Sequence, residues 1–344
     1  MNQILKTGVL MTLALAAPQT IMAQLPNATV FSDNFASGST FNGVSSPTAT
    51  STSYDFESSK TGVESFPVAG GLQFGLSSGT TSGFVEGQAL FISPNSSAVT
   101  LATTGDYIDL TYTFTDTQNL LAGGTSSAIY TGLYNSGGVA PIAGTAGTSG
   151  NTVTLNTTAG SSYATGGTAD WQGYISRITE SGGTLAAYTR PQETGAGTTS
   201  ANQELIGNNF GSGAYANPAG SQVGSSMPST VTLTAANQYT VDYRLTLNAS
   251  GGVTISDNLY SGVGTGGTDL SSQSVDTGSS LLTGAFDGLA IGVRNSGSSL
   301  NPEMDINQIT VTEGNSVPEP NTLALLGGGM VLLQVARRRL QTRA

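Results

Sequence analysis

Residues 239–247 read YTVDYRLTL. Tyr239, Val241, Tyr243, Leu245 and Leu247 take alternate positions, with Thr240, Asp242, Arg244 and Thr246 between them. Side chains alternate across the pleat of a β-strand, so this spacing puts the apolar groups on one face and the polar groups on the other, whereas a helix would scatter them. The stretch is therefore read as an antiparallel strand with one face in a core.

Residues 107–114, YIDLTYTF, repeat the pattern, with Ile108, Leu110, Tyr112 and Phe114 set against Asp109, Thr111 and Thr113. Further strands are expected at 29–33, 84–91, 128–134, 152–156, 173–178, 252–257, 288–294 and 304–312. In the last of these Ile306 falls out of phase with Ile309 and Val311, which predicts a β-bulge near Asn307. The intervening segments are rich in Gly, Ser, Thr and Asn, and no helical periodicity occurs outside the two ends. So many short strands in one chain imply an all-β fold, an antiparallel β-sandwich or jelly roll. Gly-Gly-Thr recurs at Gly123, Gly166, Gly182 and Gly266, but at irregular spacing, which reads as turns and gives no support to a solenoid or propeller. Residues 191–228 are poorer in strand signal and read either as a long loop over the sandwich or as a hinge between two sheets.

Composition narrows the chemistry. The chain has 344 residues, no Cys and no His. That excludes thiolate nucleophiles, Ser-His-Asp triads, disulfides and most zinc chemistry. The net charge is −11, but Lys6, Arg337, Arg338, Arg339 and Arg343 all lie in the end segments. Between those segments Lys60, Arg177, Arg190, Arg244 and Arg294 face twenty carboxylates, a net of −15, which repels nucleic acid and anionic lipid.

Residues 1–23 place Lys6 ahead of an apolar run, then Pro18 and a polar break before Ala23. This is the layout of a secretory signal peptide, with cleavage by signal peptidase expected after Ala23. The domain then runs over 24–315, and a second unusual segment over 316–344. There Val317, Pro318, Glu319 and Pro320 precede an apolar run and the cluster Arg337, Arg338, Arg339. As a helix, 322–336 would span roughly 22 Å, against a hydrocarbon core of about 30 Å. Gly327, Gly328 and Gly329 weaken that helix further. A short transmembrane helix, held transiently or kept as an anchor, has its arginines on the cytoplasmic side.

The order Val-Pro-Glu-Pro, apolar stretch, arginine cluster resembles the PEP-CTERM sorting signal of Gram-negative bacteria. The resemblance covers only the tail. It implies recognition at Val317, Pro318, Glu319 and Pro320 by an exosortase-type enzyme, transient association with the inner membrane, and delivery to the cell surface or extracellular matrix. It further implies association with exopolysaccharide and biofilm. The body resembles, more loosely, concanavalin/laminin-G-type jelly rolls.

Candidate sites in the body are few. Trp171, the sole tryptophan, lies with Asp170, Tyr174 and Arg177, and with Tyr134 offers an aromatic platform for a sugar; a core position for Trp171 is the competing reading. Hard oxygen ligands suit calcium, at Asp33, Asn34 and Asp305, which a jelly roll would bring together, or at Asp257 and Asn258. Acidic residues forming Asx-turns are the plainer reading of the same positions. Glu303-Met304-Asp305-Ile306 matches the first half of the Glu-x-Asp-x-x-Glu signature of jelly-roll glucanases, but Gln308 stands where the second Glu belongs. The expectation is a non-enzymatic surface protein, with a carbohydrate-binding module and a carboxylate glycosidase as alternatives.

Overall fold

The computed structural model describes residues 27–35, 54–58, 63–68, 71–75, 82–92, 97–117, 120–121, 127–141, 145–146, 152–154, 167–192, 205–206, 222–296 and 303–316. The expected signal helix and C-terminal helix lie outside them. In chain order the first strands are β1 (Ala28–Asp33), β2 (Tyr54–Ser58), β3 (Val63–Val68), β4 (Gly71–Gly75), β5 (Ser82–Leu90), β6 (Val99–Thr100) and β7 (Asp106–Asp116). There follow β8 (Ala128–Asn135), β9 (Thr145–Ala146), β10 (Thr152–Thr154), β11 (Gln172–Thr179), β12 (Thr184–Arg190) and β13 (Gln222–Pro228). The last are β14 (Gln238–Leu247), β15 (Val253–Ser261), β16 (Asp269–Asp276), β17 (Ala285–Phe286), β18 (Gly288–Ser296) and β19 (Glu303–Asn315). Among the described residues the only helical element is a 3-10 turn at Gly167–Asp170.

Two antiparallel sheets face each other. A ten-stranded sheet runs β16-β15-β14-β7-β19-β4-β3-β10-β9, with β1 also paired to β19, and a seven-stranded sheet runs β13-β12-β11-β8-β18-β5-β2. In both, a late strand is inserted between early ones: β19 between β7 and β4, and β18 between β8 and β5. This interleaving of the chain's two ends is the Greek-key crossing of a jelly roll.

The alternation that opened the sequence reading sets the core. Val241, Tyr243 and Leu245 of β14 are fully buried, beside Ile108, Leu110, Tyr112 and Phe114 of β7 and Ile255 and Leu259 of β15. From the opposite sheet come Ile129 and Leu133 of β8, Ile178 of β11, and Leu289, Ile291 and Val293 of β18, all in the same apolar cluster. The predicted bulge is present, as a register shift between Ile306 and Gln308 against β7. Two of the strands that escaped the sequence reading lack alternation. On β13 nearly every residue is exposed. On β12 both faces are covered, which erases the period.

The segment at 191–228 ends in β13, an edge strand on β12. Within it Leu205 and Ile206 lie on the outer face of the seven-stranded sheet, in a second cluster with Trp171, Tyr134, Tyr130 and Ile175. The fully buried Glu86 of β5 holds them, its two carboxylate oxygens accepting from Leu205 N at 2.8 Å and Ile206 N at 2.9 Å.

The interior also contains polar groups. Tyr112 and Thr131 join the two sheets through their hydroxyls at 2.8 Å. Ser176 of β11 donates to Asp257 Oδ2 and accepts from Gln273 Nε2 at 2.6 Å. Asp257 is opposite Tyr243 in the β14–β15 ladder, and Asp257 Oδ1 and the Tyr243 hydroxyl have no hydrogen-bond partner. Burial pushes Asp257 up to about 7, against the hydrogen bonds of Ser176 and Gln273. Burial likewise pushes Glu86 up to about 7, against the Leu205, Gln88 and Ile206 hydrogen bonds and the charge of Arg190.

Raised carboxyl pKa values mean that the native state binds more protons than the unfolded chain at intermediate pH. The resulting stability is complete below the unfolded value near 4 and is lost as pH rises to about 7. Thermal unfolding should therefore show a higher Tm at pH 5 than at pH 8. Asp257→Asn should gain more stability over the wild type at pH 8 than at pH 5, the difference being on the order of 2–3 kcal/mol. A Tm that rises from pH 5 to pH 8 would contradict the buried carboxyl assignment.

Candidate functional site

Because β14 pairs with β7, the two polar faces read in the sequence become one surface. Asp242 lies opposite Thr111 and Arg244 opposite Asp109. β19 extends the same face, with Thr310 opposite Thr111 and Thr312 opposite Asp109. The outcome is a groove of about 400 Å³ on the outer face of the ten-stranded sheet, floored by these threonines and lined by Asp109, Asp242 and Arg244.

One wall is the turn after β15, with Val263, Gly264 and Thr265. Gly262 and Gly264 take φ of 81° and 77°, the left-handed region that favours glycine. The turn is fastened to the sheet through Thr240, whose hydroxyl donates to Gly262 O at 2.9 Å and accepts from Gly264 N at 2.8 Å. Its other side borders a second cavity, of about 610 Å³, lined by Thr115, Gln238, Ser261 and Leu270 among others.

The charges in the groove are coupled. Arg244 Nη2 donates to Asp109 Oδ2 at 2.7 Å, and its guanidinium lies 4.3 Å from the centre of the Tyr107 ring. Asp242 is pushed up to about 7, first by burial, then by the neighbouring Asp109 carboxylate, with Arg244 opposing. Asp109 Oδ1 and Asp242 Oδ1 are both buried without a hydrogen-bond partner, and burial beside the Asp109 carboxylate favours the protonated form of Asp242. The groove thus offers carboxylate acceptors, a guanidinium donor and a row of hydroxyls, the chemistry that pairs with a polyhydroxylated ligand.

The aromatic platform is not assembled. Trp171 is fully buried, with its ring centre 6.0 Å from that of Tyr134. Its indole N–H donates to Val139 O at 2.8 Å, and Arg190 donates to its carbonyl. Tyr174 points into the sandwich, accepting from Leu282 N at 2.8 Å. Arg177 is on the opposite face of β11, bonded to Thr184 at 2.6 Å and 5.5 Å from the Tyr188 ring centre. Asp170 sits on the 3-10 turn, where it accepts from Gln192. Residues 174 and 177 have opposite parity on one strand, and that alone separates them.

The expected calcium ligands are also kept apart, by the predicted bulge. Asp33 lies opposite Ile309, on the core side of the ten-stranded sheet, and accepts from Phe35 N at 2.8 Å in an Asx-turn next to Asn34. Asp305 precedes the bulge, opposite Gln73 and Thr115, on the outer side. Asp257 faces the core, while Asn258 faces out and accepts from Ser272. No group of three or more acidic residues that could hold a metal occurs among the described residues. Glu303 and Asp305 share one face of a single strand, where Glu303 accepts from Thr117 at 2.8 Å and from Gln73. They do not oppose each other across a cleft. Ala23, Val317, Pro318, Glu319, Pro320, Arg337, Arg338 and Arg339 lie outside the described residues.

Trp171 is the chain's single tryptophan, so its environment can be read directly. Its emission should resist quenching by iodide and stay unchanged when polysaccharide is added. Ready quenching in the folded protein would show that the indole is accessible after all.

Residues 316–339 match the PEP-CTERM protein-sorting motif. No curated protein matches the chain. Among solved structures, peanut lectin with a 9mer peptide is 11% identical, covering 86% of this chain and 100% of that one, at a TM-score of 0.37. The seed lectin of Lotus tetragonolobus is 9% identical over 77% of this chain and 94% of its own, at 0.38. The PL-14 alginate lyase from Aplysia kurodai is 11% identical over 72% and 86%, at 0.38. The chain thus carries a PEP-CTERM sorting motif, which implies recognition by an exosortase-type enzyme and export to the surface or beyond, behind a β-sandwich defined by its own sheet register.

Proposed function

We propose that this protein is a non-catalytic component of the cell surface or extracellular matrix of a Gram-negative bacterium. It is released from a transient inner-membrane hold by an exosortase-type enzyme and partnered with extracellular polysaccharide in a biofilm. One observation carries this reading: the last strand, β19, ends at Asn315, and the sorting motif begins at residue 316. Removal of the tail beyond Ser316 takes no residue from either described sheet. Both described sheets are thus complete before the Pro-Glu-Pro corner, as a processed address requires.

Mass spectrometry of the mature protein from its native host tests this. The expected product lacks everything after the Pro-Glu-Pro corner and begins after Ala23. Recovery of a C-terminus intact through Ala344 would overturn it.

The groove favours a carbohydrate-binding role at this location. Asp109 and Asp242 are acceptors, Arg244 is a donor, and Thr111 and Thr310 add hydroxyls. A body with a net charge of −15 disfavours a polyanion, so a neutral glycan is the better partner. The glycosidase alternative is weaker here, since it needs two carboxyl groups about 5–9.5 Å apart and free to act on a sugar between them, whereas Asp109 is already engaged by Arg244 in an ion pair at 2.7 Å. On a glycan array Arg244→Gln should reduce binding about tenfold or more. Unchanged binding by that variant would exclude the groove.

A further inference from the structure

Both ends of the described sandwich leave it at one place. Ala28, the first residue of β1, pairs with Glu313 of β19. Asn27 Oδ1 accepts from Asn315 N at 3.3 Å. Asn315 Nδ2 donates to Asp106 Oδ1 at 2.7 Å, and Ser316 is held to Gly105 O by its N–H at 2.8 Å and its hydroxyl at 3.1 Å. Asp106 is itself buried, its other oxygen accepting from Ala102 N at 3.0 Å and Thr103 N at 2.7 Å. Residues 27, 105–106 and 315–316 therefore form a clasp that closes the end of β19.

No spacer separates this clasp from the sorting corner, for Val317 follows Ser316 directly. A chain advances at most about 3.6 Å per residue, so Glu319 lies within roughly 11 Å of Ser316. An enzyme that takes an extended segment by strand addition holds it through main-chain N–H and C=O groups. Upstream of Val317 those groups include Ser316 N–H and Asn315 N–H, and the sandwich already uses both. One N–H cannot serve two acceptors at full strength.

We infer that the segment bound by the processing enzyme extends upstream of the Pro-Glu-Pro corner into Asn315 and Ser316, which become available only when the clasp opens. This rests on the reading of the tail as a processed sorting signal. Asn27 is then a positioning residue, acting through the backbone of Asn315. The clasp links removal of the tail to local opening at one end of β19, while the rest of the strand stays paired with β7.

The test follows tail removal by pulse-chase of the full chain in its native host. Asn27→Ala removes an acceptor without altering the segment the enzyme would bind, and should speed processing about two- to tenfold. Insertion of Gly-Ser-Gly-Ser between Ser316 and Val317 supplies a free upstream segment, so it should also speed processing and abolish the effect of Asn27→Ala. Ile255→Val lowers global stability away from the clasp and should leave the rate as it is. Equal rates for the wild type, Asn27→Ala and the insertion would overturn the inference while leaving the sorting reading intact. So would slower processing of the insertion, which would make the folded end a docking surface. A tail retained through Ala344 in every form would overturn both.

Discussion

The structure depends on the antiparallel register between β14 and β7, an unbroken run from Gln238 opposite Thr115 to Thr246 opposite Tyr107. Side-chain orientation has a period of two, so a slip by one residue would turn Val241, Tyr243 and Leu245 outward and drive Asp242 and Arg244 into the core. The cost of burying an unpaired aspartate and arginine exceeds anything the ladder could recover by shifting. The same register that fills the core also places Arg244 beside Asp109 and lets Asp242 reach it. Core and groove are two faces of one decision.

Within the sandwich, polar groups add a second level of specification. An apolar core tolerates many arrangements of similar volume, but Ser176 can meet Asp257 and Gln273 only if the sheets are stacked in one way. Tyr112 and Thr131 impose a similar condition nearby. In a chain without disulfides, such contacts fix one sheet on the other without a covalent link. Asp257 remains protonated through mildly acidic pH because burial outweighs its hydrogen bonds, and this ties the specificity of stacking to a cost at higher pH.

Strand positions were legible at β7, β14 and β15, where one face is solvated and apolar residues fill the other, whereas β16 alternates in burial but has Ser271 and Gln273 at its buried positions and so shows no apolar period. The period also failed at β12, whose outer residues Ala186 and Tyr188 lie under a second apolar cluster, and at β13, which buries almost nothing. The bulge at Asn307 was legible from the phase of Ile306, Ile309 and Val311. Its consequence was not, since the separation of Asp33 from Asp305 depends on which residue of β19 faces β1, a long-range pairing that no local pattern encodes. Trp171 shows the same limit. Composition offers its indole to a sugar or to a core, and the choice rests on partners distant in sequence, among them Tyr134, and Val139, whose carbonyl accepts the indole N–H. The groove itself was present as two polar half-faces, Asp109-Thr111-Thr113 and Asp242-Arg244, that needed only the β7–β14 pairing to join them.

The position of β19 constrains the order of events in export. It is an interior strand, paired with β7, β4 and β1, so the ten-stranded sheet stays open until residues 303–315 are available. Its partners come from far earlier in the chain, and such long-range pairing forms slowly because loop closure precedes any gain from contact. The strand that completes the sheet is followed directly by the sorting motif at 316–339, so the last partner to arrive is also the last described element before the processed end. Until that strand arrives, the facing edges of β7 and β4 remain unpaired, the condition in which a sheet is open to pairing with other chains.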